Sequence, residues 1–167
     1  PDLVNVGRVR LSGVPYGRQQ HVIEELDRAY QFRTVSIDAG NSGRAVAHAL
    51  MAQGTDWCDK VLSVEFGGSL DLGFLPDGSP DRRPAKVFMT ELLTRHMRDR
   101  TIVFPRLQER ESEYAAHTYM VNANGRIVYN KGEDHIIDAD RCAVLAHYLD
   151  THRDEPYVPL GLGIEPF

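Results

Sequence analysis

Val35-Ser36-Ile37-Asp38-Ala39-Gly40-Asn41-Ser42-Gly43 runs a short apolar stretch into a glycine-bearing turn, and a helical pattern follows through Gln53 with Ala45, Val46, Ala49 and Leu50 inward. The apolar residues predict a strand, the glycines permit a tight strand-to-helix turn, and Asn41 or Ser42 is placed to cap the helix. Upstream, Val22, Ile23, Leu26 and Tyr30 recur at helical spacing within 17–30, opposite Glu24, Glu25, Asp27 and Arg28. This helix is expected to lay one face on a sheet. Leu3 to Val14 is rich in valine, and the alternation Arg8-Val9-Arg10-Leu11-Ser12 predicts a half-exposed strand. Strand, helix, strand, helix in succession predicts parallel pairing within an α/β fold.

Downstream, Val61 to Phe66 reads as the next strand, and the Gly-, Pro- and Asp-rich 67–84 as a long loop or small hairpin flap. Lys86 to Arg98 is helical in pattern (Val87, Phe88, Leu92, Leu93, Met97), Thr101 to Phe104 is a strand stopped by Pro105, and Gln108 to Glu113 is a polar helical turn. Tyr119-Met120-Val121 and Arg126-Ile127-Val128-Tyr129 flank Asn122-Ala123-Asn124-Gly125, a hairpin signature. Ile136 to Leu149 forms the last helix. One domain over 1–150 is expected, with 151–167 an extended tail.

A chain of 167 residues with 42% hydrophobic content is long enough for one core. Cys58 and Cys142 show neither a disulfide framework nor zinc-ligand spacing, which fits a reducing compartment. No run approaches the roughly 18 apolar residues of a membrane span, and no secretory signal is legible, so a soluble chain without a membrane partner is expected. A net charge of −5 argues against generic nucleic-acid binding but leaves room for local basic clusters.

Chemistry concentrates at acids. Gly132-Glu133-Asp134-His135-Ile136-Ile137-Asp138-Ala139-Asp140-Arg141-Cys142 places Asp134 and Asp138 four residues apart, hence on one face at a helix mouth. Asp38, at the carboxyl end of its strand, sits where ligands gather in open α/β sheets. Asp134 has a plainer account as N-cap or as a first-turn acid favoured by the helix dipole, and Asp138 as the i+3 partner of Arg141, whereas the glycine turn with its cap explains everything around Asp38 except an acid at the strand's carboxyl end. Together they match what two-metal phosphoryl chemistry needs, carboxylates flanking two divalent ions about 4 Å apart. The Asp38-Ala-Gly-Asn-Ser-Gly turn lacks the lysine of a P-loop and the spacing of a dinucleotide site. Arg82, Arg83 and Lys86 in the flap and Lys131 before the acidic motif are the candidate phosphate contacts. His135 and Glu65 are accessory candidates, and the absence of a His-x-x-x-His pair argues against zinc hydrolysis.

The order of these pieces resembles the nuclease domain of the large terminase subunit of tailed bacteriophages, a ribonuclease H-like fold, over about Leu3 to Leu149. The resemblance is carried by Arg8-Val-Arg-Leu-Ser-Gly-Val-Pro-Tyr-Gly, Val35-Ser-Ile-Asp-Ala-Gly-Asn-Ser-Gly43, Ala85-Lys-Val-Phe-Met, Ile102-Val-Phe-Pro105 and, most specifically, Lys131-Gly-Glu-Asp-His-Ile-Ile-Asp-Ala. It implies a mixed sheet flanked by helices, with a C-terminal hairpin and final helix. It further implies Asp38 and Asp134 as metal ligands with Asp138 a ligand or supporting partner, two Mg²⁺ or Mn²⁺ ions, and cleavage of concatemeric double-stranded DNA during viral packaging.

The implied partners are double-stranded DNA, a terminase small subunit, a portal protein and an ATPase motor domain, in the cytoplasm of the infected bacterial host. No Gly-x-x-x-x-Gly-Lys-Ser/Thr occurs here, so the motor is expected elsewhere in a larger protein. The family's first catalytic Asp lies on a strand before the one at Leu3 to Val14, and Asp2 is a poor substitute. The isolated chain is therefore expected to bind metal weakly and cut poorly. Two competing readings are another ribonuclease H-like enzyme, a resolvase or transposase, and a non-catalytic DNA- or portal-docking module whose acids are structural.

Overall fold

The structure, a computed structural model, describes residues 2–40, 42–130, 132 and 134–152. Asn41, Lys131 and residues 153–167 of the expected tail lie outside the described residues.

The mixed α/β class holds. The strand read at Val35 is β2 (Val35–Asp38), and it pairs in parallel with β3 (Val61–Val64), register Val35↔Val61 to Asp38↔Val64. Between them lie α2 (Gly43–Met51) and α3 (Thr55–Lys60). The polar, six-residue α3 carries no apolar period and was not anticipated. On α2 the buried face is Val46, Ala47 and Leu50, while Ala45 is exposed.

β1 spans only Leu3–Val4, not the strand to Val14 that alternation suggested. It pairs in parallel with β6 (Ile102–Val103). From Asn5 on the chain is irregular, with Val6 87% exposed and Gly13 at φ 65°, because alternation makes a strand only where a partner edge exists. The glycine-rich 67–84 stretch does form a hairpin, β4 (Ser69–Phe74) antiparallel to β5 (Pro80–Pro84). A second hairpin, β7 (Tyr119–Val121) with β8 (Ile127–Tyr129), closes over Asn122–Gly125, with Gly125 at φ 71°. Among the described residues these ladders form four separate two-stranded pairs rather than the single mixed sheet expected. β1 and β6 are two residues each and offer few backbone groups for a further ladder.

α1 (Tyr16–Tyr30) packs on α2 and buries no residue fully, contrary to the expected seat on a sheet. Polar ties hold it instead. Lys60 bonds Asp27 at 2.9 Å, and Glu24 accepts from Gln20 and Gln53.

The core lies between α4 (Ala85–Arg98) and α6 (His135–Thr151), with α5 (Gln108–Ala116) against the latter. Phe88, Met89, Leu92 and Leu93 of α4 meet Ile137, Val144, Leu145 and Tyr148 of α6, with Val64 of β3 beneath. Each such side chain contributes about 1.5–3 kcal/mol when fully buried. Phe88 and Tyr148 meet edge to face, centroids 5.2 Å apart. α6 is no surface helix with one apolar stripe: α4, α5 and β2 all contact it, and Asp140 and Arg141 are buried with the apolar residues. Its helical course runs through Thr151, one residue into the expected tail.

Candidate functional site

The turn after β2 is built around Asp38. Its Oδ1 accepts the Gly40 amide at 2.9 Å, and the Gly43 amide donates to the Gly40 carbonyl at 3.2 Å. The first turn of α2 thereby lies against the strand end, so close that a Cβ at Gly43 would lie 1.8 Å from the Asp38 carbonyl oxygen. Ser42 stands at the N-cap without a side-chain cap bond, so backbone contact rather than capping fixes this turn.

Asp38 and Asp138 border one cavity of about 380 Å³, together with Ser36, His135, Ala139 and Cys142. The buried Cys142 thiol is pushed up to about 12, first by burial and further by the charges of Asp38 and Asp138. It is an inert wall rather than a nucleophile.

Asp134 occupies the N-cap position of α6, yet its side chain caps nothing. Glu113 of α5 performs that task, accepting from the amides of Ile136 at 2.7 Å and Ile137 at 3.4 Å. Asp134 Oδ2 instead accepts from Lys86 Nζ at 3.0 Å, and Asp138 Oδ1 lies 3.6 Å from the same ammonium. Arg141 completes the arrangement: fully buried, it bonds Asp138 Oδ1 at 2.5 Å, Thr90 Oγ1 at 2.9 Å and His117 Nε2 at 2.6 Å. A guanidinium only donates, so His117 Nε2 accepts and the ring is neutral. Tyr129 of the β7–β8 hairpin stacks on His117 at 5.2 Å, and the Arg141 guanidinium lies 5.2 Å from its ring.

Burial raises the Asp138 carboxyl above its ordinary value, against the opposing Arg141 bond and Lys86 charge and with the Asp134 charge adding to the rise. Burial, with Arg141 and Lys86 assisting and Asp134 opposing, lowers His117 below 6.5. An imidazole with a lowered value binds fewer protons folded than unfolded, so the stability it contributes is present above about 6.5 and is lost as pH falls through that value towards the folded one. His96, lowered by burial and by His147, acts with the same sign. Asp138 and Asp140, raised, act with the opposite sign between their ordinary 3.8 and their folded values. Urea midpoints taken downward from about pH 7.5 to 5.5 are expected to fall, and His117→Gln is expected to remove part of that slope. An unchanged slope would show that His117 titrates normally.

The predicted phosphate contacts are dispersed. Arg82 is exposed, 3.7 Å from Asp71. Arg83 is turned to Asp81, bonding it at 3.0 and 3.2 Å, with its guanidinium 5.5 Å from the Phe88 ring. Lys86 is committed to the acids. Glu65 is exposed and engaged by Arg44, and His135 lines the acid cavity. His117, Thr90 and Tyr129 were not legible in advance, because each reaches the site from a separate element. Arg141 was legible only as an i+3 partner of Asp138.

Among the described residues no group of three or more His, Cys, Asp or Glu side chains is arranged to hold a metal ion. Two acids do fit part of such a site. Asp38 and Asp138 share a cavity, and each has one oxygen engaged and Oδ2 without a hydrogen-bond partner among the described residues. Hard carboxylate oxygens suit Mg²⁺ or Mn²⁺. Comparison with family models, with curated proteins and with solved structures gives no significant match. Among the described residues no helix is long and apolar enough to cross a membrane.

Proposed function

We propose that this chain is a metal-dependent endonuclease domain acting on double-stranded DNA, of the kind that cuts concatemers during phage packaging. The observation that carries the reading is the shared cavity of Asp38 and Asp138, two carboxylates from a strand end and a helix's first turn, backed by the cations of Lys86 and Arg141. Asp38 and Asp138 would hold a divalent ion, with Asp134 beside them, and the chemistry such an ion would supply there is activation of a water and neutralisation of the leaving oxygen's charge.

The protein's own groups do the rest. Arg141 fixes the Asp138 rotamer through a bond to Oδ1, and Thr90 and His117 fix Arg141 in turn. Lys86 offsets the repulsion between Asp134 and Asp138 and stands where a phosphate's negative charge is favoured. Tyr129 covers this network from the hairpin. The packaging context, with its small subunit, portal, motor and infected-cell setting, rests on the resemblance of the Asp38 and Asp134–Asp138 segments to terminase nucleases.

The test is calorimetric titration of Mn²⁺ into the wild-type chain and into Asp38→Asn and Asp138→Asn, with plasmid nicking followed in parallel. Weak binding and slow nicking in the wild type, both lost in the two variants, are expected. Because burial raises Asp138 and metal needs its ionised form, affinity is expected to fall at a higher pH than for an exposed aspartate. Equal titrations in all three proteins would favour the docking-module reading, in which the acids are structural.

A further inference from the structure

The acid cavity is one of three depressions in a row. A second, of about 330 Å³, is lined by Arg8, Arg10, Ser12, Arg110, His135 and Asp140, and shares His135 and Ala139 with the first as a common wall. A third, beside α5, is lined by Glu109 and Glu113 and shares Arg10 with the second. The path runs from α5, across the irregular segment after β1, over the first turn of α6 and into the space between Asp38 and Asp138.

Along this path of mixed charge, one arginine pair is placed to take an anion. Arg110 at the floor is spoken for by buried Asp140, which it bonds through Nε at 3.1 Å and Nη2 at 3.3 Å. Arg8 and Arg10 are not committed to the fold in that way. Both turn to the exposed carboxylate of Glu109, Arg8 Nη1 at 2.5 Å and Arg10 Nη1 at 3.8 Å. The protein's own carboxylate therefore sits between two guanidinium groups on a segment with no ladder partners, and exposed pairs of this kind exchange partners at little cost. Phosphates, with more acceptor oxygens, are the better match to the two guanidinium forks.

We propose that this groove binds the sugar-phosphate backbone of a DNA strand, with Arg8 and Arg10 gripping successive phosphates in place of Glu109 and the strand passing over His135 to Asp38 and Asp138. The proposal rests on the nuclease reading for what happens at the acids, but the grip itself is independent of it. It also places basic groups of an acidic chain outside the flap: Arg8 and Arg10 line the depression that shares His135 and Ala139 with the acid cavity.

The experiment is fluorescence anisotropy of a short mixed-sequence DNA duplex in EDTA, over a salt series, with circular dichroism of every protein as a check on folding. Arg8→Ala/Arg10→Ala is expected to weaken binding about tenfold and to lower the salt slope by about 2, one for each arginine withdrawn from a phosphate. Glu109→Gln is expected to strengthen binding, whereas Asp56→Asn on α3, the same change in charge, leaves it unaltered. Wild-type affinity and slope in the double variant, or an equal gain from Glu109→Gln and Asp56→Asn, would overturn the groove. A failure of the nuclease reading shows differently: Mn²⁺ titrations and nicking indifferent to Asp138→Asn, with the weakened binding of the double arginine variant still observed, leave the groove standing as a DNA-binding surface.

Discussion

Replacing Asp140 with alanine is expected to lower the free energy of unfolding by about 3–5 kcal/mol, the largest single-residue effect on stability anticipated in this chain. Asp140 is 4% exposed and Arg110 6%, and the two are joined by two bonds, with Tyr114 Oη donating a third to Asp140 at 2.9 Å. Arg110 also donates to the Pro105 carbonyl at 3.3 Å and lies 4.5 Å over the Phe104 ring. Deleting the carboxylate leaves a guanidinium and a phenol in the interior without their acceptor, and the charge cannot be shed, because arginine does not deprotonate in proteins. The pair itself is not a large net stabiliser, since both ions were taken from water to make it.

Asp140→Ala is strongly destabilising, while Arg110→Met combined with Asp140→Leu recovers most of the stability. Urea unfolding followed by circular dichroism measures both. A cost below about 1 kcal/mol for Asp140→Ala would place the pair with exposed, hydrated ion pairs.

Gly43→Ala is expected to cost about 3 kcal/mol, the upper end for inserting a methyl into a filled site. A Cβ here would meet the Asp38 carbonyl oxygen at 1.8 Å and its carbon at 2.9 Å. Those are backbone atoms, so no rotamer change relieves the overlap. Either α2 moves off the strand, loosening the turn that holds the Asp38 carboxylate, or the end of β2 bends and carries Asp38 with it. Stability and Mn²⁺ affinity should therefore fall together, whereas Gly132→Ala, where a Cβ meets nothing within 4 Å, should change neither. Retention of full metal affinity by a destabilised Gly43→Ala protein would show that Asp38 is not a ligand.

Local pattern made much of the fold legible. The β2 strand and its turn, the helices α1, α4 and α6, and the hairpin over Asn122–Gly125 were readable because β-branched runs, apolar periodicity and turn residues are properties of a few neighbouring positions. Where the reading fell short, a partner was needed. Arg8 to Ser12 alternates as a strand does, but no edge is there to receive it, and its arginines became the wall of a groove. The chain has strands enough for one sheet, yet how many would join was a matter of distance in space.

At the candidate site the division is sharper. Local spacing along the chain puts Asp134 and Asp138 in one helix turn, Asp38 at a strand end, and Arg141 three residues after Asp138, since helix and strand periods are short-range geometry. Which of these acids share a cavity depends on how distant elements pack. That packing set Asp38 against Asp138 by laying α6 on β2, gave Asp134 to Lys86 of α4, let Glu113 of α5 take the cap that Asp134 was expected to supply, and surrounded Arg141 with Thr90, His117 and Tyr129. Buried charges must find partners wherever packing brings them, so their pairings follow from how the helices settle on one another, which no local pattern records.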